Sequence, residues 1–170
     1  MQKIAKFEKV SYDEFKKSVK KNFPNKYMEH DIKNMYDNIK LPQRTTKGSA
    51  GYDFYSPFNL NINKTDHTVV PTGVRARIDD GWVLKIYPRS GLGFKYGLRL
   101  SNTVGIIDSD YYYSDNEGHI MIKINHDIGD YLMKLEEGQG FAQGIFLEYG
   151  ITTDDDADGV RNGGFGSTGK

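Results

Sequence analysis

The sequence contains no cysteine, and it has five prolines and one tryptophan among its 170 residues. Without thiols there is no disulfide scaffold, iron–sulfur cluster or thiolate zinc site, so the fold must be stabilised by its hydrophobic core. The sequence also lacks an apolar run of the roughly 20 residues that cross a bilayer, and no signal peptide is visible at its N-terminus. We therefore expect a soluble, cytoplasmic protein with one globular domain.

Net charge is absent too, because 23 basic side chains balance 23 acidic ones. With no global field to attract nucleic acid, we expect no direct nucleic-acid binding. The balance hides an asymmetry, since residues 1–47 hold 12 basic and 6 acidic groups. The lysine-rich surfaces of this part are typical of solvated helix faces, and a nucleic-acid contact is the alternative interpretation.

Residues 1–40 have the pattern of a helical extension. Ser11 precedes Glu14 by three residues, a capping box in which each side chain binds the other residue's backbone N–H. Phe15 and Val19 then share one face of the predicted helix. A second apolar stripe at helical spacing predicts another helix before the extension ends.

From residue 48 onward, short β-rich runs alternate with glycine and proline. Two of these runs place alternate apolar residues on one strand face: Trp82, Leu84 and Ile86, and Ile120, Ile122 and Ile124. Closely spaced short strands favour a sandwich or barrel over alternating βαβ units. We therefore expect an all-β domain over residues 41–153 and a flexible, glycine-rich C-terminal tail over residues 154–170.

Five short segments combine backbone freedom with groups that bind or react. In chain order they are Ala50 to Phe54, Pro88 to Gly93, Asn102 to Tyr111, Gly138 to Gly144, and Arg161 to Gly169. Arg89 and Ser90 in the second segment match phosphate oxygens. Asp108 follows an apolar strand directly, and a carboxylate held rigidly there suits a general base. If the extended conformation continues, Asp108 and Asp110 point to opposite sides and share no proton.

In this order and combination, the five segments resemble the motifs of the homotrimeric dUTPase family, particularly the forms of bacteriophages and prophages of Gram-positive bacteria. The resemblance implies a jelly-roll-like β-barrel whose homotrimer has three active sites, each assembled from three subunits. It also implies Mg²⁺-dependent hydrolysis of dUTP to dUMP and pyrophosphate. That reaction limits uracil in DNA and supplies dUMP for dTMP synthesis in the host cytoplasm.

The resemblance implies a role for each matching residue. Asp108 would activate the water that attacks the α-phosphorus, and Tyr111 would stack under the deoxyribose and exclude a ribose 2′-OH. Asp53 would reach Mg²⁺ through water. The other matching residues would bind the substrate: Asn102, Gly105 and Ile107 at the uracil, Arg89, Ser90, Gly91 and Gln143 at the phosphates, and Arg161, Phe165, Gly166, Ser167 and Thr168 from the tail, with Phe165 capping the uracil ring.

Some features depart from the family pattern. Residues 112–117 form a longer turn than usual, Gly140 stands where many members carry a cation, and the spacing from Arg161 to Phe165 is one residue shorter than in many. Two alternatives remain. The first is a dCTP deaminase, an enzyme that looks like the same fold, although deamination needs a Glu that residues 105–111 do not supply. The helical extension could instead bind a protein partner such as a repressor, as in a phage regulatory protein.

Overall fold

The computed structural model describes residues 2–64, 66–129, 131–161 and 163. The strands in these residues are β1 (Ala5–Lys9), β2 (Tyr52–Tyr55), β3 (Leu60–Asn63), β4 (Thr68–Pro71), β5 (Val74–Ile78), β6 (Trp82–Pro88), β7 (Arg99–Leu100), β8 (Gly105–Ile107), β9 (Met121–Asn125), β10 (Leu132–Leu135) and β11 (Gly140–Glu148). The helices are α1 (Tyr12–Asn22), α2 (Glu29–Asp37) and α3 (Ser90–Tyr96), together with a 3₁₀ helix over Ser109–Tyr113. Strands dominate after residue 41, which confirms the all-β class.

The described strands pair into four small antiparallel sheets. The largest has the order β2-β11-β6-β8, and another has the order β4-β9-β7. Two further pairs join β10 to β3 and β1 to β5. Neighbouring strands are often distant in sequence, as where β11 lies between β2 and β6. Such connections are typical of Greek-key and jelly-roll arrangements, as the sequence predicted.

Alternating apolar residues explain which faces the strands bury. In β9, Ile122 and Ile124 are buried while Lys123 between them is exposed. In β6, Leu84 and Ile86 are buried on the same face. The faces predicted for these two runs are therefore confirmed, and their burial removes from water the apolar area that stabilises the fold.

The N-terminal residues belong to the same core as the strands. Phe15, Val19 and Ile32 from α1 and α2 are completely buried within the main hydrophobic cluster. Strand β1, in contrast, is a difference from the prediction of a helical extension over residues 1–40, because it pairs with β5 along its whole length. Its five-residue pattern is too short to show a period, and the backbone groups of β5 determine its conformation.

The start of α1 follows the predicted capping box in part. Ser11 Oγ accepts a hydrogen bond from the Glu14 backbone N–H at 3.2 Å, as an N-cap residue does. The reciprocal half of the box is wrong, because the Ser11 N–H donates to the carboxylate of Glu117 at 2.7 Å. Glu14 turns inward to His119 instead. Local spacing could not indicate a partner 106 residues away in the sequence.

The segment after β6 is helical, whereas the segment after β11 is irregular. The residues that follow β6 form the seven-residue helix α3, which ends at Gly97 in the left-handed conformation with φ of 62°. The described residues beyond β11, 149–161 and 163, contain no helix or strand. Within the described ranges, none of the helices has the length and apolar character required to cross a membrane.

Candidate active site

Three predicted site residues meet where β2, β11 and β6 lie side by side. In this sheet Gln143 of β11 is opposite Asp53 of β2 on one side and Tyr87 of β6 on the other. Arg89 follows β6 directly, and its Nε lies 3.4 Å from Asp53 Oδ1. The Gln143 side-chain amide donates to the Pro88 carbonyl at 3.3 Å. The fold thus brings together Asp53, Arg89 and Gln143, which we call the Arg89 cluster.

Gly51 and Gly140 make room for the Arg89 cluster. A Cβ added at Gly51 would lie 2.7 Å from Gln143 Oε1, and one added at Gly140 would lie 2.7 Å from Arg89 Nη1. Both distances are shorter than real Cβ contacts, so any larger residue would displace a side chain of the cluster. The glycine at 140 therefore lets the Arg89 guanidinium lie close to β11.

Ser90 and Gly91 begin α3 immediately after Arg89, and all three residues are exposed. A shallow recess of about 270 Å³ beside them is lined by Pro88, Arg89, Ser90, Gly93 and Phe94. A guanidinium next to a hydroxyl offers several donors to an anionic oxygen. This arrangement is consistent with the phosphate contacts expected from the sequence, which remain a prediction.

Asp53 is the acidic member of the Arg89 cluster and is 15% exposed. Its second carboxylate oxygen accepts a hydrogen bond from Thr45 Oγ1 at 3.1 Å. Among the residues that the structure describes, no group of three or more histidine, aspartate or glutamate side chains could hold a metal ion. A divalent cation near Asp53 would therefore take most of its ligands from water and from a bound substrate, which is how Mg²⁺ usually binds alongside phosphates.

Asp108 lies between the end of β8 and the start of the 3₁₀ helix. Its carboxylate accepts a hydrogen bond from Arg161 Nη2 at 2.6 Å, and the carboxylate of Asp110 accepts one from Arg161 Nε at 2.8 Å. The two carboxylates face the same guanidinium, so the prediction that they point to opposite sides is wrong. It depended on an extended backbone, and the chain turns into a 3₁₀ helix directly after Asp108.

Tyr111, in the 3₁₀ helix, is 6% exposed. Its hydroxyl donates to the His119 carbonyl at 2.8 Å and accepts a hydrogen bond from Asn116 Nδ2, also at 2.8 Å. Burial raises the pKa of Tyr111 above its ordinary value, so the phenol stays protonated at neutral pH. The hydroxyl is therefore engaged inside the protein, and a small part of the side chain is open to a ligand.

Asn102, Gly105 and Ile107 line a cleft of about 450 Å³ beside the turn between β7 and β8. The other walls are mainly apolar and include the buried side chains of Ile86 and Leu100. Apolar walls with a few polar groups are typical of sites for small molecules. The fold therefore places three residues of the predicted uracil site at one cleft.

The Arg89 cluster and Asp108 are far apart within one chain. β6 and β8 run antiparallel with Leu84 opposite Ile107, so Asp108 lies next to Val83. Arg89 is six residues farther along the chain than Val83, about 20 Å in extended conformation. These two groups cannot contact the same phosphate from a single copy of the chain.

Sequence reasoning missed several residues around these groups. Thr45 holds Asp53, Asp110 shares the guanidinium of Arg161, and Lys21 and Asn22 at the end of α1 line the cleft. Motif spacing could not indicate the contacts that join distant segments. Four predicted substrate-binding residues lie outside the described part of the chain: Phe165, Gly166, Ser167 and Thr168.

Comparison with known proteins identifies relatives along most of the chain. The dUTPase family model matches residues 37–169. The deoxyuridine 5′-triphosphate nucleotidohydrolase of Lactococcus lactis subsp. lactis is 38% identical over 134 residues, which cover 77% of this chain and 89% of that protein. The crystal structure of the dUTPase from Streptococcus mutans is 32% identical, covers 86% of this chain and 97% of its own, and superposes with a TM-score of 0.63.

A phage protein shares the fold. A mutant dUTPase from phage phi11 of S. aureus, whose structure describes the coordination of a structural Mg(II) ion, is 22% identical with a TM-score of 0.58, covering 74% of this chain and 94% of its own. The family match extends over more than three quarters of the sequence, and it includes Asp53, the Arg89 segment and Asp108. The chain belongs to the dUTPase family.

Proposed function

We propose that this chain hydrolyses dUTP to dUMP and pyrophosphate. The observation that carries the proposal is the position of Asp108 at the end of β8, the strand that also supplies Gly105 and Ile107 to the apolar cleft. A carboxylate that directly follows a residue in the wall of such a cleft can act next to a nucleotide bound there. The dUTPase family assignment supports dUTP as the substrate. The relative from Lactococcus lactis is named as a deoxyuridine 5′-triphosphate nucleotidohydrolase.

Asp108 would act as the general base. A triphosphate is strongly anionic and resists attack by water until its charge is compensated and the water is aligned. Asp108 would accept a proton from the water as the oxygen attacks the α-phosphorus, and the pyrophosphate would leave on the opposite side. Because Asp108 is 43% exposed and bound by Arg161 without substrate, the guanidinium would have to release it as the nucleotide binds.

Uracil and deoxyribose would be recognised at the cleft. The Asn102 amide and the backbone groups of Gly105 and Ile107 provide both donors and acceptors, as the edge of a uracil requires. Tyr111 would lie under the deoxyribose, where its fixed ring leaves no room for a 2′-OH. A site that packs against the sugar in this way discriminates by steric exclusion.

The phosphates would be bound by the Arg89 cluster together with the neighbouring α3 residues. Arg89, Ser90, Gly91 and Gln143 are the proposed contacts, with Arg161, Gly166, Ser167 and Thr168 added from the tail. Phe165 would stack on the uracil ring and close the site over the nucleotide. Closure of this kind excludes bulk water and strengthens each electrostatic contact.

Mg²⁺ fits the residues around Asp53. Thr45 and Arg89 occupy only part of the acceptor capacity of the Asp53 carboxylate, so it can accept hydrogen bonds from the water ligands of a hydrated cation, and the phosphates of dUTP would supply the remaining oxygens. When bound, the ion would neutralise phosphate charge and fix the conformation of the triphosphate. The related phage phi11 dUTPase contains a structural Mg(II) ion.

The active sites would form in a homotrimer. Arg89 and Asp108 of one chain are separated by about 20 Å of strand, so a phosphate group that both serve would lie between two copies of the chain. The tail would then reach the site of a neighbouring copy. Closed cyclic symmetry repeats the same site three times.

Release of pyrophosphate from dUTP, UTP, dTTP and dCTP, together with release of ammonia from dCTP, tests the proposed function. We expect pyrophosphate from dUTP in strong preference to the other three nucleotides. Ammonia from dCTP without pyrophosphate from dUTP would contradict the proposal and assign the chain to the deaminase alternative.

A further inference from the structure

The N-terminal segment, residues 5–22, contacts the loop that follows Asp108. This loop, residues 108–119, which we call the Asp108 loop, includes the unusually long turn at 112–117. The most deeply buried contact joins α1 to His119: Glu14 Oε1 lies 3.2 Å from His119 Nδ1, and Ser18 Oγ donates to the same oxygen at 2.9 Å. His119 is fully buried, and Glu14 and Ser18 are 7% and 5% exposed.

The hydrogen bonds determine the tautomer of His119. The backbone N–H of Gly73 donates to Nε2 at 2.9 Å, so Nε2 carries no proton and the neutral ring keeps its proton on Nδ1. Nδ1 then donates to the carboxylate of Glu14. Burial works to raise the pKa of Glu14, but the hydrogen bonds from His119 and Ser18 outweigh it, so the pKa lies below its ordinary value. Glu14 is therefore ionised at neutral pH and is a strong acceptor for Nδ1–H.

The backbone of His119 connects this buried pair to the proposed substrate site. Its carbonyl oxygen accepts the Tyr111 hydroxyl at 2.8 Å, and its N–H donates to the Asn116 carbonyl at 3.0 Å. The side chain of Asn116 in turn donates to Tyr111 Oη. A displacement of His119 would therefore move both hydrogen-bond partners of the Tyr111 hydroxyl.

The exposed end of the Asp108 loop has its own link to α1. Glu117 accepts hydrogen bonds from Ser11 N–H at 2.7 Å and from Ser11 Oγ at 2.6 Å. Glu117 has φ of 58°, a left-handed conformation that is costly for a residue other than glycine. Such a conformation persists when its surroundings hold it in place, and the bidentate contact with Ser11 does so.

A third link joins β1 to the 3₁₀ helix. Tyr112 Oη donates to Glu8 at 2.6 Å, and the guanidinium of Arg75 lies 4.4 Å from the centre of the Tyr112 ring. The N-terminal segment thus contacts the Asp108 loop at three residues that follow Tyr111, namely Tyr112, Glu117 and His119. The N-terminal segment and the long turn at residues 112–117 are therefore in direct contact with each other.

We propose that the N-terminal segment positions Tyr111 for sugar discrimination by holding the Asp108 loop through Glu14–His119 and Ser11–Glu117. Glu14 and His119 are positioning residues, because neither would touch the nucleotide. The inference rests on the proposed function, since it assigns Tyr111 to the deoxyribose. An apolar pair could fill the same space, whereas the matched donors and acceptors of Glu14, Ser18 and His119 favour one arrangement of the loop.

Three variants test the inference in the full-length protein. Glu14→Ala removes the carboxylate that accepts from both His119 Nδ1–H and Ser18 Oγ, and leaves Ser18 Oγ, 3.2 Å from Nδ1, as the remaining partner of the ring. Glu14→Gln restores an acceptor oxygen at the same position. Glu117→Asn keeps a residue that tolerates positive φ but is too short to bind Ser11 as Glu117 does. The matched control, Glu29→Gln, removes an exposed ion pair between Glu29 and Lys16 of α1, without contact to the Asp108 loop.

The measurement is the ratio of kcat/KM for dUTP to kcat/KM for UTP, with the thermal midpoint recorded in parallel. We expect Glu14→Ala to lower this ratio about tenfold and Glu117→Asn about threefold, since both loosen the group that excludes the 2′-OH. Glu14→Gln and Glu29→Gln should keep the wild-type ratio.

An unchanged ratio in Glu14→Ala and in Glu117→Asn would overturn the inference even if the thermal midpoint falls, because a purely structural contact would lower stability alone. If Glu14→Ala fails to fold, Glu117→Asn decides by itself, as its contact is at the surface. A wild-type protein that releases no pyrophosphate from dUTP would instead overturn the proposed function, and the inference with it.

Discussion

Arg161 and Asp108, which are 53 positions apart in the sequence, are joined by a charged hydrogen bond of 2.6 Å between Nη2 and Oδ2. Arg161, in the predicted tail, therefore contacts the proposed general base of its own chain. The two side chains are 22% and 43% exposed, and an ion pair of this exposure contributes about 0.2–1 kcal/mol. The phosphates of a nucleotide can thus compete successfully with Asp108 for the guanidinium.

Replacement of Arg161 should weaken nucleotide binding with little effect on stability. We expect Arg161→Gln to bind a non-hydrolysable dUTP analogue about tenfold or more weakly, since a charged hydrogen bond to phosphate contributes about 1.5–3 kcal/mol. The free energy of unfolding should change by less than about 1 kcal/mol. Titration calorimetry and urea unfolding measure the two quantities. Wild-type affinity in the variant would show that the guanidinium stays with Asp108 and does not serve the phosphates.

Asp108→Asn removes the proposed base and keeps its shape. Turnover of dUTP should fall by about 10²–10⁴-fold, the usual contribution of a positioned general base. Nucleotide binding should be kept, because the amide adds no negative charge next to the phosphates. Steady-state kinetics and calorimetry on the same preparation separate the two effects. A kcat near that of the wild type would disprove the assignment of Asp108.

Gly140→Ala tests the space reserved for Arg89. The added Cβ would lie 2.7 Å from Arg89 Nη1 and would displace a guanidinium that is 44% exposed and free to move outward. We expect KM for dUTP to rise about tenfold while the thermal midpoint stays almost unchanged, since a charge-assisted phosphate contact is lost and no core atom moves.

The matched control is Gly150→Ala, because a Cβ at that position would meet no atom within 4 Å. Its KM should equal that of the wild type. If both alanine variants have the same kinetics, the position of Arg89 next to Gly140 is irrelevant to substrate binding.

The fold was predictable where apolar residues repeat with a clear period. The burial of Ile122 and Ile124 in β9 and of Leu84 and Ile86 in β6 follows from alternation, although Val83 on the other face of β6 is buried as well. The core positions Phe15 and Val19 of α1 follow from helical spacing. Strand β1 did not follow, because five residues carry too little periodicity and the strand forms by pairing with β5. Apolar periodicity therefore predicts helices and strands of sufficient length, whereas a short strand such as β1 depends on pairing with a distant segment.

The candidate site shows the same division. Ordered motifs located Asp53, Arg89 and Gln143, and antiparallel pairing brings them into one cluster. The prediction that Asp108 and Asp110 point to opposite sides was wrong, because it required an extended backbone through a segment that forms a 3₁₀ helix. Motif spacing does not indicate that the backbone enters a 3₁₀ helix directly after Asp108.

Acid stability should depend on Glu8. The hydrogen bond from Lys6 and that from Tyr112 lower the pKa of Glu8 from 4.5 to about 2. A carboxylate whose pKa is lower in the folded state stabilises the protein above the unfolded-state pKa, and this contribution is lost as pH falls toward the folded-state value. The free energy of unfolding should therefore decline between about pH 4.5 and pH 2.

In Glu8→Gln this part of the decline should be absent, because the amide does not titrate. Urea unfolding at pH 7, 4 and 3 compares the two proteins. A decline of equal size in both would mean that the Glu8 contacts do not stabilise the ionised carboxylate.

The most direct test of a site shared between copies is complementation between two inactive variants. Asp108→Asn and Arg89→Ala are each expected to lose turnover of dUTP when prepared alone. If Asp108 and Arg89 of different copies serve one nucleotide, trimers assembled from an equal mixture should have both groups intact in about one quarter of their sites. We predict that pyrophosphate release from dUTP by the co-refolded mixture recovers to about one quarter of the wild-type rate. A mixture as inactive as the separate variants would contradict the shared site and place both groups in a single chain.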